Sequence, residues 1–206
     1  MSDLTFEFDS NTPLETYEWD RYWIEHTENS TAPRVLYIGD SISCGTLPMA
    51  NKVAAGKVLI DGYHTSKALD NTFYRPMIEC VAAQEKHREL ILLNNGLHGW
   101  HLDDEKEYFP LLRDTVAWLQ KAFPNTTVAM VLTTHTERGA WQERAKWRGE
   151  LAREVAEKMK LPVVDFYTLS AENRELLSGD GVHWQPAGYQ KLATFMVKRI
   201  CELLGI

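Results

Sequence analysis

The 206-residue chain lacks several features that mark whole classes of protein. Its three cysteines (Cys44, Cys80, Cys201) form no C-x-x-C pair and leave at least one thiol over. That argues against a disulfide framework and against a zinc ribbon. No apolar stretch approaches the ~18 residues of a membrane helix. The opening MSDLTFEFDS has no apolar core of a secretory leader, so the expected location is cytoplasmic, with a trimmed secreted form as the alternative. Neither G-x-x-x-x-G-K-[ST] nor G-x-G-x-x-G occurs, and nucleotide cofactors have no support. H-E-x-x-H is also absent, and the neighbouring His98 and His101 have no third ligand close in sequence, so neither a metal nor any other cofactor is expected. Basic charge is in deficit: 22 Lys and Arg against 29 Asp and Glu give a net charge of −7. Nucleic acid and anionic membrane surfaces are therefore not expected partners.

What the chain has is alternation. Apolar runs at Arg34–Ile38, Lys57–Ile60, Leu90–Leu93, Thr127–Leu132 and Leu161–Val164 read as short buried strands. Between them, Asn71–Lys86, Asp104–Phe123 and Glu137–Lys160 carry apolar residues at helical spacing, and Pro186–Leu204 follows the last strand in the same pattern. Continuous apolar strands alternating with helices predict an α/β fold, a parallel five-stranded sheet covered on both faces. Residues 34–206 are expected to form that domain. Residues 1–33 fall outside the alternation, and Phe6, Phe8, Tyr17, Trp19, Tyr22, Trp23 and Ile24 suggest an extension packed onto it.

In such sheets ligands sit beyond the carboxyl ends of the strands. After the first run comes Gly39-Asp40-Ser41-Ile42-Ser43. A serine at a strand-to-helix junction meets the free N–H groups and partial positive charge of the helix end, both useful beside a developing oxyanion. An N-cap serine is the plainer alternative. Near the other end stands Asp180-Gly181-Val182-His183. A nucleophilic serine needs a base, and the base needs a carboxylate that fixes its tautomer. Asp180 on Nδ1 of His183, with Nε2 free to face Ser41, meets both needs; a simple Asp-Gly turn is the alternative. His26, His64 and His87 read as polar surface residues.

Ile38-Gly39-Asp40-Ser41 paired with Asp180-Gly181-Val182-His183 resembles the first and last blocks of the SGNH, or GDSL-type, hydrolases. The likeness runs from about Arg34 to the C-terminus. It implies a three-layer α/β/α sandwich of flavodoxin-like topology and ester hydrolysis through a serine acyl-enzyme. By the same resemblance Ser41 is the nucleophile, His183 the general base and Asp180 its orienting partner. The family's oxyanion hole uses the nucleophile's own N–H, a glycine after the second strand and an asparagine after the third. Gly62 is the candidate glycine. The third block departs from the family's G-x-N-D, because Gly96-Leu97-His98-Gly99 places histidine where asparagine is expected. His98, whose imidazole can donate as an amide does, and Asn95 are the two candidates.

Seven tryptophans stand out in a chain that is 11% aromatic. Trp100 and Trp184 each follow a candidate motif, and Trp141 and Trp147 open a helix. Indole faces suit sugar rings, although packing explains a tryptophan as well. Thr133–Thr136 can line a polar pocket or cap a helix. Asp40, Trp100, Thr134 and Trp184 are thus the candidate substrate contacts. The expected substrate is a small-molecule or glycan ester, most plausibly an acetylated carbohydrate. The alternatives are a carbohydrate-binding or scaffold protein with weakened catalysis, and a lysophospholipase or thioesterase.

Overall fold

A computed structural model describes residues 13–85 and 87–206. Six strands form one sheet: β1 (Asp20–Trp23), β2 (Arg34–Gly39), β3 (Leu59–Thr65), β4 (Leu90–Leu93), β5 (Thr127–Val131) and β6 (Val163–Val164), in the order β1-β3-β2-β4-β5-β6. From β3 to β6 all neighbours are parallel, and β1 joins β3 antiparallel. The parallel part has the doubly wound flavodoxin order. Its switch point lies between β2 and β4, where the two chains leave in opposite directions and open a crevice.

Six helices cover the sheet: α1 (Ser41–Ala54), α2 (Tyr74–Ala82), α3 (Glu105–Ala122), α4 (Ala140–Met159), α5 (Phe166–Ala171) and α6 (Pro186–Leu204). Strand alternation sorts the core into two layers. Val35, Tyr37, Ile60, Leu90 and Leu92 face α1 and α6, while Leu36, Ile38, Tyr63, Ile91 and Leu93 face α2, α3 and α4. The five expected strands are all present, in a three-layer α/β/α arrangement.

The sheet differs from the expected one in two ways, both with physical causes. First, it has six strands, because Asp20–Trp23 of the extension pairs along β3. The extension is held more by hydrogen bonds than by buried rings: Tyr17, Tyr22 and Trp23 are exposed, and only Trp19 and Ile24 are half-buried. Phe6 and Phe8 lie outside the described residues. Second, β3 runs on through Asp61, His64 and Thr65, all buried. Asp61 survives burial by pairing with Arg34 (2.7 Å) and Arg88 (3.4 Å). Arg34, itself fully buried, also donates to the carbonyls of Glu25, His26 and Asn29, tying the extension to the lower end of the sheet.

Helix α1 crosses α6 closely because Gly45 has no side chain; a Cβ there would overlap the ring of Tyr189. Gly45→Ala should therefore destabilise the protein by about 1–3 kcal/mol, the usual cost of overpacking, read as a lowered urea midpoint with an unchanged m-value.

Candidate active site

Chain reversal at the end of β2 places Ser41 at the first position of α1. Asp40 is the N-cap, its Oδ1 accepting from the N–H of Ile42 at 2.9 Å. Ser41 N–H sits in the first turn, where helix geometry supplies no internal acceptor. Gly39 keeps the turn tight, since a Cβ there would come within 2.7 Å of Ser43.

The loop before α6 brings up the other partners. Asp180 Oδ1 accepts from Ser178 Oγ (2.7 Å) and from the backbone N–H groups of Val182 and His183 (2.9 Å each). Its Oδ2 lies 2.6 Å from His183 Nδ1. On the far side of the ring, His183 Nε2 is 2.9 Å from Ser41 Oγ. Burial pushes the Asp180 carboxyl up, but the hydrogen bonds from His183, Ser178 and the two backbone donors together outweigh it and hold the acid well below its ordinary range. An ionised Asp180 accepts the Nδ1 proton of His183 and leaves Nε2 as the acceptor facing the Ser41 hydroxyl. Ser41, His183 and Asp180 thus form one continuous relay at the carboxyl edge of the sheet.

His98 lies in the loop after β4 and belongs to a second network. Its Nδ1 is 2.9 Å from Glu15 Oε2, while the other Glu15 oxygen accepts from Gly99 N–H at 2.8 Å. Trp19 packs edge-on against the imidazole. Burial pushes His98 down, but the Glu15 hydrogen bond, with Asp40 and Glu18 nearby, outweighs it and raises the pKa above the ordinary histidine value. His101 turns to a different carboxylate, Asp70, at 2.8 Å. Asn95 donates through Nδ2 to Lys67 O (3.1 Å), joining the loops that follow β3 and β4.

Beneath His98 lies a feature that no motif announced. Arg148 of α4 is 1% exposed, and its guanidinium donates to the carbonyls of Gly96, His98, Gly99 and Leu102. It also sits over the Tyr108 ring at 4.3 Å. One buried cation thereby shapes the whole loop after β4. In sequence it was one more charge on a helix, and no local signal separated it from the others.

Several sequence-based candidates sit elsewhere than expected. Gly62 is inside β3, opposite Trp23 on one side and Tyr37 on the other, so it lies below the strand ends. The residues that do follow β3 are Ser66–Ala68. Trp184 is a core residue, 4% exposed and packed on Gly188. Thr134 is 1% exposed, and Asp40 is buried with its free oxygen facing inward, so neither offers an open polar edge. His64 is buried, contrary to the surface reading. Trp147 packs beside Tyr108.

Trp100 is half-buried and in ring contact with Trp141 at 3.8 Å between centroids. Arg144 lies over Trp100 and Arg138 over Trp141. The loop that leads into Trp141 touches the His183 loop directly, through Glu137 N–H donating to Gly181 O at 2.7 Å. The loop that precedes the Trp141 helix is thus tied to the loop that carries His183.

No protein-family model matches the chain, and no curated protein matches its sequence. Its fold is similar to several solved structures. The acetyl xylan esterase AlAXEase superposes with a TM-score of 0.66 at 16% identity, over 81% of this chain and 99% of that one. The acetylxylan esterase Axe2 of Geobacillus stearothermophilus gives 0.61 at 18% identity, over 82% and 94%. A lipase/acylhydrolase of Enterococcus faecalis gives 0.61 at 20% identity, over 82% and 95%.

Two outcomes follow from these networks. Arg148→Met leaves buried carbonyls without donors and should lower stability by about 3 kcal/mol, measured by urea denaturation. The Glu15–His98 contact should stabilise the fold most below the unfolded histidine pKa of about 6.5 and lose its effect as pH rises through the elevated folded value. The melting temperature of Glu15→Gln should therefore fall furthest below that of the wild type near pH 5.5–6, and the gap should narrow towards pH 9.

Proposed function

We propose that this chain is a serine esterase of the SGNH type that removes short acyl groups, acetyl foremost, from a carbohydrate. The observation that carries the reading is the Ser41–His183–Asp180 relay, with contacts of 2.9 and 2.6 Å, at the switch point of a doubly wound sheet.

In this reading His183 Nε2 takes the Ser41 proton as Oγ attacks the ester carbonyl, and Asp180 stabilises the resulting imidazolium. The proton passes to the departing alcohol, leaving an acyl group on Ser41. His183 then deprotonates a water that attacks the acyl carbonyl, and the carboxylic acid leaves as Ser41 regains its proton. The oxyanion is held by Ser41 N–H, by the backbone N–H of Ala68 in place of Gly62, since those of Ser66 and Lys67 already donate to Trp19 O and Thr65 Oγ1, and by His98. Glu15 accepts at Nδ1 and raises the ring's pKa, and in the protonated ring His98 offers a charged N–H at Nε2 where an amide would offer a neutral one. Asn95, with one amide proton committed to Lys67 O, is the second candidate donor.

Two observations support a carbohydrate: the Trp100–Trp141 pair, whose lead-in loop is tied to the His183 loop, and the acetylxylan esterases among proteins of similar fold. A binding protein with weakened catalysis is the second reading, favoured by Gly96-Leu97-His98-Gly99 standing where the family has G-x-N-D.

Ser41→Ala should reduce p-nitrophenyl acetate hydrolysis by at least about 1,000-fold, and a fluorophosphonate probe should label the wild type stoichiometrically at Ser41. Sugar binding without labelling establishes the second reading. Trp100→Ala should raise KM for an acetylated xylo-oligosaccharide about tenfold and leave KM for p-nitrophenyl acetate nearly unchanged. Preference for p-nitrophenyl esters of long chains overturns the carbohydrate assignment.

A further inference from the structure

Away from the relay, a cavity of about 400 Å³ opens between β1 and α1. Its walls are the indole of Trp23, Leu47, Pro48 and Cys44, and its polar groups include Arg21 and His64. The register explains why these meet. Arg21 lies opposite His64 and Trp23 opposite Gly62, and directly opposed residues point to the same face. Gly62 has no side chain to fill this face; a Cβ there would overlap Leu47 and the His64 ring.

His64 sets the chemistry of this cavity. The residue is 1% exposed, and its Nε2 has no hydrogen-bond partner among the described residues. Its other nitrogen, Nδ1, is 2.6 Å from Ser43 Oγ, and that hydroxyl also lies 2.6 Å from Asp40 O. A hydroxyl has one proton, and a carbonyl can only accept, so the Ser43 proton goes to Asp40 O. His64 Nδ1 must then donate to Ser43, which leaves Nε2 as a bare lone pair. Burial, aided by the Arg21 charge, pulls the His64 pKa down to about 3, which keeps the ring neutral. Beside this acceptor stands Arg21, which only donates; among the described residues its partner is the weak acceptor Cys44 Sγ at 3.6 Å. Together they call for a group that donates to one and accepts from the other. A hydroxyl does both, whereas a carboxylate would set its charge against the His64 lone pair. Glu25, also in the lining, accepts at Oε2 from Trp23 Nε1 and Asn51 Nδ2.

We propose that this cavity is a binding site for a small apolar alcohol of the phenol class. Its hydroxyl donates to His64 Nε2 and accepts from Arg21, and its apolar body lies against Trp23, Leu47 and Pro48. The site stands independently of the esterase reading, because none of its residues belongs to the relay.

Calorimetric titration of the full chain with 4-propylphenol tests it. Saturable binding at one site is expected, with 4-propylanisole, in which the hydroxyl proton is replaced by methyl, at least tenfold weaker. Arg21→Ala, at an exposed strand position, should weaken 4-propylphenol binding several-fold, and His64→Phe should abolish it. Absence of saturable binding overturns the proposal, as does equal affinity for the anisole. Undiminished binding by a His64→Phe protein that melts cooperatively does the same. Where that variant does not fold, the phenol–anisole comparison on the wild type decides. Ser41→Ala should bind 4-propylphenol as the wild type does, so loss of esterase activity and loss of this site are read separately.

Discussion

A charge that has no carboxylate partner among the described residues orders the loop after β4. Burying the Arg148 guanidinium is costly, and four carbonyls of the Gly96–Leu102 loop offset the cost by converging on it. This constraint works in both directions. The loop must curl for its carbonyls to point inward, and Gly99, at φ +77°, supplies the left-handed backbone that lets it curl. Once curled, the loop presents His98 to Glu15 and carries Trp100 to Trp141. The geometry of this side of the site is thus set from the helical layer below it, and a residue remote from the relay governs groups that border it.

The relay itself is assembled differently. Asp180 and His183 are three residues apart, and their contact is local, completed by a turn whose backbone N–H groups the Asp180 side chain caps. Ser41 comes from the far end of the chain and is fixed by the N-terminus of α1. What remains is to hold α1 against α6, the helix that begins just after His183. The Gly45–Tyr189 approach does this, so one small residue at a helix crossing determines whether two local motifs meet.

Legibility followed burial. The five parallel strands were readable because both their faces are covered, which makes their sequences apolar without interruption. Strand β1 was not, because Asp-Arg-Tyr-Trp is an exposed edge with no alternation to detect. The end of β3 was misjudged at Asp61 for a related reason: a carboxylate inside a strand signals termination unless its partners, Arg34 and Arg88, are known to arrive from elsewhere. That error carried Gly62 to the wrong level of the sheet. Ser41, Asp180 and His183 were readable as short motifs at opposite ends of the chain. Arg148 and the Glu15 clamp were not, because each acts through contacts some fifty to eighty residues distant.

Strand β1 also bears on how the protein behaves at high concentration. An open sheet exposes two rows of unpaired backbone groups, and each row is a template for another chain. On one side β1 covers Gly62–Thr65 of the seven-residue β3 with a four-residue edge bearing Asp20 and Arg21. On the other side the sheet closes with β6, only two residues long. Both margins are therefore short, and one is charged. A chain lacking Asp20–Trp23 would bare Gly62–Thr65 of a buried strand, and self-association is the failure to expect from it.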